Sequence, residues 1–170
     1  MFFKPPEIAN FTWQSAHGPI QYANFKNNAS IELSDAYPAM GCITVITNNK
    51  NFGTLTHLDT EITIAKFIKC LDNLLNEQKA DSETILVGGN NKPESKAFLK
   101  KLREALQANN YNITQEETGG NLFIKRHSIL CQDKVKVKIY NLNQKIVKPT
   151  VKELFFNYAS YTSQITLIDQ

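Results

Sequence analysis

Residues 83–89 read ETILVGG, a short apolar run closed by two glycines. It has no polar alternation, so it reads as a buried strand. This segment constrains the fold most, because helical patterns flank it on both sides. Before it, TEITIAKFIKCLDNLLNEQ (60–78) sets Ile64, Ile68, Leu71 and Leu75 on one stripe, with Phe67 and Leu74 beside it. Thr60 is the expected N-cap, with Thr63 at the position a capping box gives to Glu. After it, Pro93 opens PESKAFLKKLREALQANN (93–110), with Phe98, Leu102 and Leu106 inward and Asn109 and Asn110 closing the helix.

The rest of the chain reads as β. ASIEL (29–33), CITVIT (42–47) and FGTLTHL (52–58) precede the helices, and NLFIKR, KVKVKIYNL and SQITLID follow them. The order is strands, helix, strand, helix, strands. It predicts an α+β fold: a layered β-sheet or β-sandwich core of mixed, largely antiparallel strands, flanked by helices. The 170 residues suit a single domain spanning 1–170. Residues 1–30, rich in Pro, Asn and Gly, are expected to wrap the core loosely. In KVKVKIY, Lys134, Lys136 and Lys138 alternate with Val135, Val137 and Ile139, the pattern of a strand with one solvated face. A docking patch for an acidic protein is the alternative. Glu116 and Glu117 read as an exposed loop.

A net charge of +3 is too mild to imply nucleic acid or a membrane surface as partner. The three cysteines, Cys42, Cys70 and Cys131, give no disulfide framework and fit a reducing compartment. MFFKPPEIANF is apolar for two residues before a lysine and two prolines, so it is not a Sec signal. A cytoplasmic protein is expected, with signal-independent export into a host cell as the alternative.

Chemistry points to one hairpin. If 42–47 and 52–57 pair around a turn centred on Asn49 and Lys50, paired residue numbers sum to 99. Cys42 then lies directly opposite His57 on the same face, with Cβ atoms roughly 4.5–5.5 Å apart. An imidazole at that distance can take the proton of a thiol whose ordinary pKa is about 8.5, leaving the thiolate as nucleophile. The plain structural reading makes Cys42 a small core residue and His57 a bonded surface residue. A metal reading uses Cys42, His57 and Asp59, but zinc wants a further ligand or a CxxC cluster, and the sequence offers none. No metal and no organic cofactor is expected.

The string GCITVI…GTLTHLD, then a helix, ILVGG, a helix and TGGN, resembles the Cys–His amidohydrolase superfamily. That group includes bacterial chemoreceptor glutamine deamidases, protein N-terminal asparagine amidohydrolases and the catalytic domains of cytotoxic necrotizing toxins. SDAYPAMGCITV, LTHLD and LVGG are similar to the asparagine amidohydrolases. ILVGGNNKPESKAFLKKLREALQANNYNITQEETGGN is similar to the chemoreceptor deamidases. Residues 33–125 carry the likeness. It implies Cys42 as nucleophile, His57 as acid–base, and a protein substrate whose side-chain carboxamide is hydrolysed through a thioester with release of ammonia. Glutamine deamidation is the leading expectation; an N-terminal asparagine amidohydrolase or a non-catalytic binding module that kept the fold are the alternatives. The hydroxyl residue that relatives carry before the cysteine falls on Ala36, so the third member is Ser34, Asp35 or a backbone carbonyl. Gly41 and Cys42 would supply oxyanion N–H groups. Asp35 would suit a free α-amine and Asn121 a substrate amide. Thr56 and Asp59 are further candidates to orient His57. Gly88, Gly89, Gly119 and Gly120 read as tight turns or as places where loops approach a substrate.

Overall fold

A computed structural model describes residues 3–4, 10–13, 20–25, 30–34, 41–59, 63–131, 134–141, 150–157 and 162–169. These form an α+β fold of two six-stranded sheets and two helices. The first sheet holds β1 (Phe3–Lys4), β3 (Ile20–Asn24), β5 (Ile43–Asn48), β6 (Phe52–Leu58), β7 (Glu83–Gly88) and β8 (Ile113–Thr118). Its spatial order is β1-β3-β6-β5-β7-β8. The second holds β2 (Asn10–Trp13), β4 (Ser30–Ser34), β9 (Ile124–Cys131), β10 (Lys134–Asn141), β11 (Thr150–Asn157) and β12 (Thr162–Asp169), in the order β12-β11-β10-β9-β4-β2. Three pairs are parallel, β1 with β3, β2 with β4 and β7 with β8, and the other ladders are antiparallel.

The period of two decides which side each residue serves. Ile43, Val45, Phe52, Leu58 and Leu86 pack against Phe67, Ile68, Leu71 and Leu75 of α1 (Ile64–Leu75) and Phe98, Leu102 and Leu106 of α2 (Pro93–Ala108). The alternate residues Ile46, Leu55, Ile85 and Val87 pack with Leu130, Val135, Val137 and Ile139 of the second sheet. Each fully buried aliphatic side chain contributes about 1.5–3 kcal/mol relative to exposure. Gly53 lets the sheets close: a Cβ there would stand 2.6 Å from Leu130 Cδ2 and 2.8 Å from Phe25 Cζ.

Four expectations are corrected. Residues 20–25 do not wrap loosely, because β3 pairs with β6 and Ile20, Ala23 and Phe25 are core residues. The first helix starts at Ile64, with Thr63 in extended backbone at the N-cap, and Thr60 lies outside the described residues. It ends at Leu75 and tightens into a 3-10 turn, Asn76–Asp81, where Lys79 Nζ meets Asp72 Oδ1 at 3.0 Å and donates to the Asn109 carbonyl at 3.0 Å. Glu116 and Glu117 are not loop residues: they belong to β8, the parallel edge strand. β11 lies where no strand was expected. No helix among the described residues is long and apolar enough to cross a membrane.

Candidate functional site

The β5–β6 hairpin turns one residue later than the sequence suggests. Asn49 N–H donates to the Phe52 carbonyl at 3.0 Å, so Lys50 and Asn51 form the tip. The Asn49 side chain holds this turn, its Oδ1 accepting from Asn51 N at 2.8 Å and Phe52 N at 3.1 Å. Paired numbers therefore sum to 101, and Thr44, not Cys42, stands opposite His57. A shift of the sum by two leaves every residue on its original face. Cys42 and His57 remain on one side as diagonal neighbours, a separation of roughly 7–8 Å between Cα atoms that a long side chain spans.

That side faces the second sheet. Cys42, Thr44, His57, Val87 and Gly88 from the first sheet and Arg126 and Ser128 from β9 line one cavity, with room for about one water molecule. Cys42 is 6% exposed and His57 5%. The cavity lies at the end of the sandwich where β5 starts and β6 and β7 stop.

Two glycine turns fix Cys42 there. Gly89 N–H donates to the Cys42 carbonyl at 2.8 Å. Gly88 has φ +119°, and a Cβ on it would lie 2.4 Å from the Cys42 oxygen, so no other residue permits this approach. Ser95, in the first turn of α2, donates from Oγ to the Gly41 carbonyl at 3.2 Å and accepts from Asn90 N–H at 3.0 Å. The second pair is tied to the first, with Gly119 N–H donating to the Gly88 carbonyl at 2.9 Å. Arg126 spans both turns: Nη1 donates to the Gly89 carbonyl at 3.3 Å and Nη2 to the Gly119 carbonyl at 2.6 Å. Glu117 Oε1 stands 4.0 Å from Nη2.

The other expected residues scatter. Ser34 pairs in register with His127, one position out of phase with the cavity-lining Ser128. Asp35 lies outside the described residues. Asn121 is exposed and its Oδ1 accepts from Phe123 N–H at 2.9 Å, which is a turn role. Thr56 pairs with Val45 and so belongs to the helix side. Asp59 follows the last residue of β6 and does not line the cavity. Among the described residues no three of His, Cys, Asp and Glu cluster as a metal site. Cys42 and Cys70 are both thiols, outside any disulfide.

Sequence reasoning missed Thr44, Arg126 and Ser128. A signal for the last two exists. Cys131 and Lys134 pair across a two-residue connection, which puts Arg126 opposite Ile139, Ser128 opposite Val137 and Leu130 opposite Val135. Because KVKVKIY announces which face is apolar, that hairpin register alone predicts a buried arginine.

No protein-family model matches the chain, and no curated protein matches it significantly.

Proposed function

We propose that this protein is a cysteine-dependent amidohydrolase acting on a protein side-chain carboxamide, with glutamine the preferred residue. The observation that carries the reading is the shared cavity of Cys42 and His57, across adjacent strands and beside polar side chains from the facing sheet. In this reading His57 takes the Cys42 proton and Sγ adds to the amide carbon, leaving a tetrahedral oxyanion. Collapse breaks the C–N bond, His57 returns the proton to the nitrogen, and ammonia departs from a thioester. Water, deprotonated by His57, then adds to the thioester. The carboxylic acid leaves and the thiol is restored. Thr44, the cross-strand neighbour of His57, takes the positioning role that the resemblance gives to Ser34, Asp35 or a backbone carbonyl. The cavity holds a water-sized group, so the amide enters only as the surrounding turns yield.

Ammonia release and the mass of the substrate, followed for glutamine-bearing proteins and for peptides with N-terminal asparagine, test the proposal. The expected result is conversion of amide to acid that falls to background in Cys42→Ala and in His57→Gln. Conversion that survives Cys42→Ala removes the nucleophile, and the peptide arm separates the two substrate classes.

A second reading, a binding module without catalysis, is favoured by the deep burial of both residues. It predicts that Cys42 in the folded protein alkylates no faster than the half-buried Cys70 at neutral pH.

A further inference from the structure

The tip of the β5–β6 hairpin reads TNNKNFG over residues 47–53, and one asparagine is enough to hold its turn. Asn49 does so through Oδ1, which accepts from Asn51 and Phe52. Asn51 is exposed, and its side chain makes no hydrogen bond among the described residues. Both asparagines line a cavity of about 270 Å³ that Tyr22 and Asn24 of β3 and Gln78 and Asp81 of the 3-10 turn complete. It lies at the far end of β5 from Cys42, roughly 20 Å along the strand. Its volume equals roughly nine waters at liquid density. That is room for one sugar ring, below the range of about 300–1,000 Å³ usual for larger ligands.

The lining narrows the chemistry. Asn24, Asn49, Asn51 and Gln78 carry uncharged amides, each with donors and an acceptor in one plane. Among the described residues no cation lines the cavity and Asp81 is its one carboxylate, so phosphates and carboxylates are poorly matched. Tyr22 is half-buried, and its ring is held parallel to Phe52 with centroids 5.8 Å apart. The walls are also fixed in advance. Asn49 holds the hairpin tip, and Lys79, between Gln78 and Asp81, is tied to Asp72 and to the Asn109 carbonyl at 3.0 Å each. The ligand that suits such a wall is uncharged, dense in groups that both donate and accept, and apolar on one face. A pyranose ring has hydroxyls around its rim and C–H groups on its face, which packs on an aromatic ring.

We propose that this cavity is a binding site for a neutral saccharide, taking one pyranose ring between the hairpin tip, Tyr22 and the 3-10 turn. The site is independent of the amidohydrolase reading, and neither depends on the other.

Titration of the ¹⁵N-labelled protein with methyl glucoside, methyl galactoside, methyl mannoside and N-acetylglucosamine tests it. The side-chain amide signals of Asn24, Asn49, Asn51 and Gln78 report directly from the wall. At least one sugar is expected to move them along a saturating curve with Kd of roughly millimolar size. Sorbitol, which has the hydroxyls without the ring, shifts them only in proportion to its concentration. Tyr22→Ala weakens binding by about tenfold. The double variant Asn51→Ala, Gln78→Ala changes exposed side chains alone, so it keeps the test sharp if Tyr22→Ala fails to fold. It weakens binding severalfold with an unchanged denaturant midpoint. Four sugars without saturation, or saturation seen only at residues elsewhere, overturn the proposal. Calcium chloride that saturates the same signals below any sugar, with the effect lost in Asp81→Asn, overturns it in favour of a cation site.

Discussion

Along β5, Ile43 and Val45 turn towards the helices while Thr44 and Ile46 turn towards the second sheet. Along β6, Leu58 joins the helix layer and His57 the sheet–sheet layer. The same strands thus build two interiors with different chemistry. The helix layer is closed by Phe67, Ile68, Leu71, Leu75, Phe98, Leu102 and Leu106, side chains that need no partner. The sheet–sheet layer is apolar in its middle and polar at its end, where Thr44, His57, Arg126 and Ser128 meet. Polar groups cost free energy when buried without hydrogen bonds, so a fold keeps them where backbone turns can serve them. Here the glycine turns after β7 and β8 provide carbonyls for Arg126. The lesson is a division between faces: one layer is closed by apolar side chains, and the other keeps a polar end.

Damage to the helix layer gives the largest expected loss of stability. Leu102 is fully buried beneath α2. Leu102→Ala leaves a cavity in a layer that cannot fill it and costs about 3 kcal/mol. Denaturant unfolding measures that loss. In the folded protein, the alkylation rate of Cys42 stays at the wild-type value, while that of Cys70, which packs against the damaged layer, need not. A changed Cys42 rate would mean that the two layers are not separate.

A smaller change reverses the pattern. Gly53→Ala places a Cβ against Leu130 and Phe25 and presses the sheets apart. Overpacking of this kind costs about 1–2 kcal/mol. Because the strain falls in the sheet–sheet layer, Cys42 alkylation speeds up although less stability is lost than in Leu102→Ala. The double variant Gly53→Ala, Leu130→Ala regains part of the packing and slows Cys42 again. Alkylation that tracks overall stability alone across these variants breaks the comparison.

How much of this was readable depends on which physical signal carried it. The helices were legible because a period near 3.6 places Phe98, Leu102 and Leu106 on one face whatever surrounds them. The faces of β5 and β6 were legible through a period of two, and the alternation in KVKVKIY correctly marked Val135, Val137 and Ile139 as interior. The hairpin register was not, because two registers that differ by two in their sum satisfy the same alternation. The Asn49 side chain decides between them through bonds to Asn51 and Phe52. β8 escaped because ITQEET has the composition of a loop. It becomes a strand by parallel pairing with β7, and Glu116 is held there by Arg103 at 3.0 Å. Arg126 escaped because an arginine beside a lysine looks solvated, and its burial comes from the packing of one sheet on another. The site was thus half legible: Cys42 and His57 by pattern, Thr44, Arg126 and Ser128 only by tertiary structure.

The smallest effect lies at the opposite end of β7. Glu83 begins that strand, faces Asn48 in register and is 8% exposed. Burial holds its carboxyl above the ordinary carboxylate value, and a hydrogen bond with Thr114 opposes part of the shift. The consequence for stability has a definite sign. Below the ordinary value of 4.5 the folded and unfolded chains both carry the proton, and burial of the neutral acid is tolerated. As pH rises from there to the raised value, the unfolded chain gives up its proton while the folded chain keeps it. Stability from this group therefore falls across that interval and stays lower above it. Glu83→Gln keeps the shape and removes the titration, so the variant gains on the wild type as pH rises through the same interval. Denaturant midpoints of both proteins, measured at intervals from acid to neutral pH, read the difference. Parallel curves would show that water reaches this carboxylate, and that the far end of the sheet–sheet layer is open in solution as well as polar.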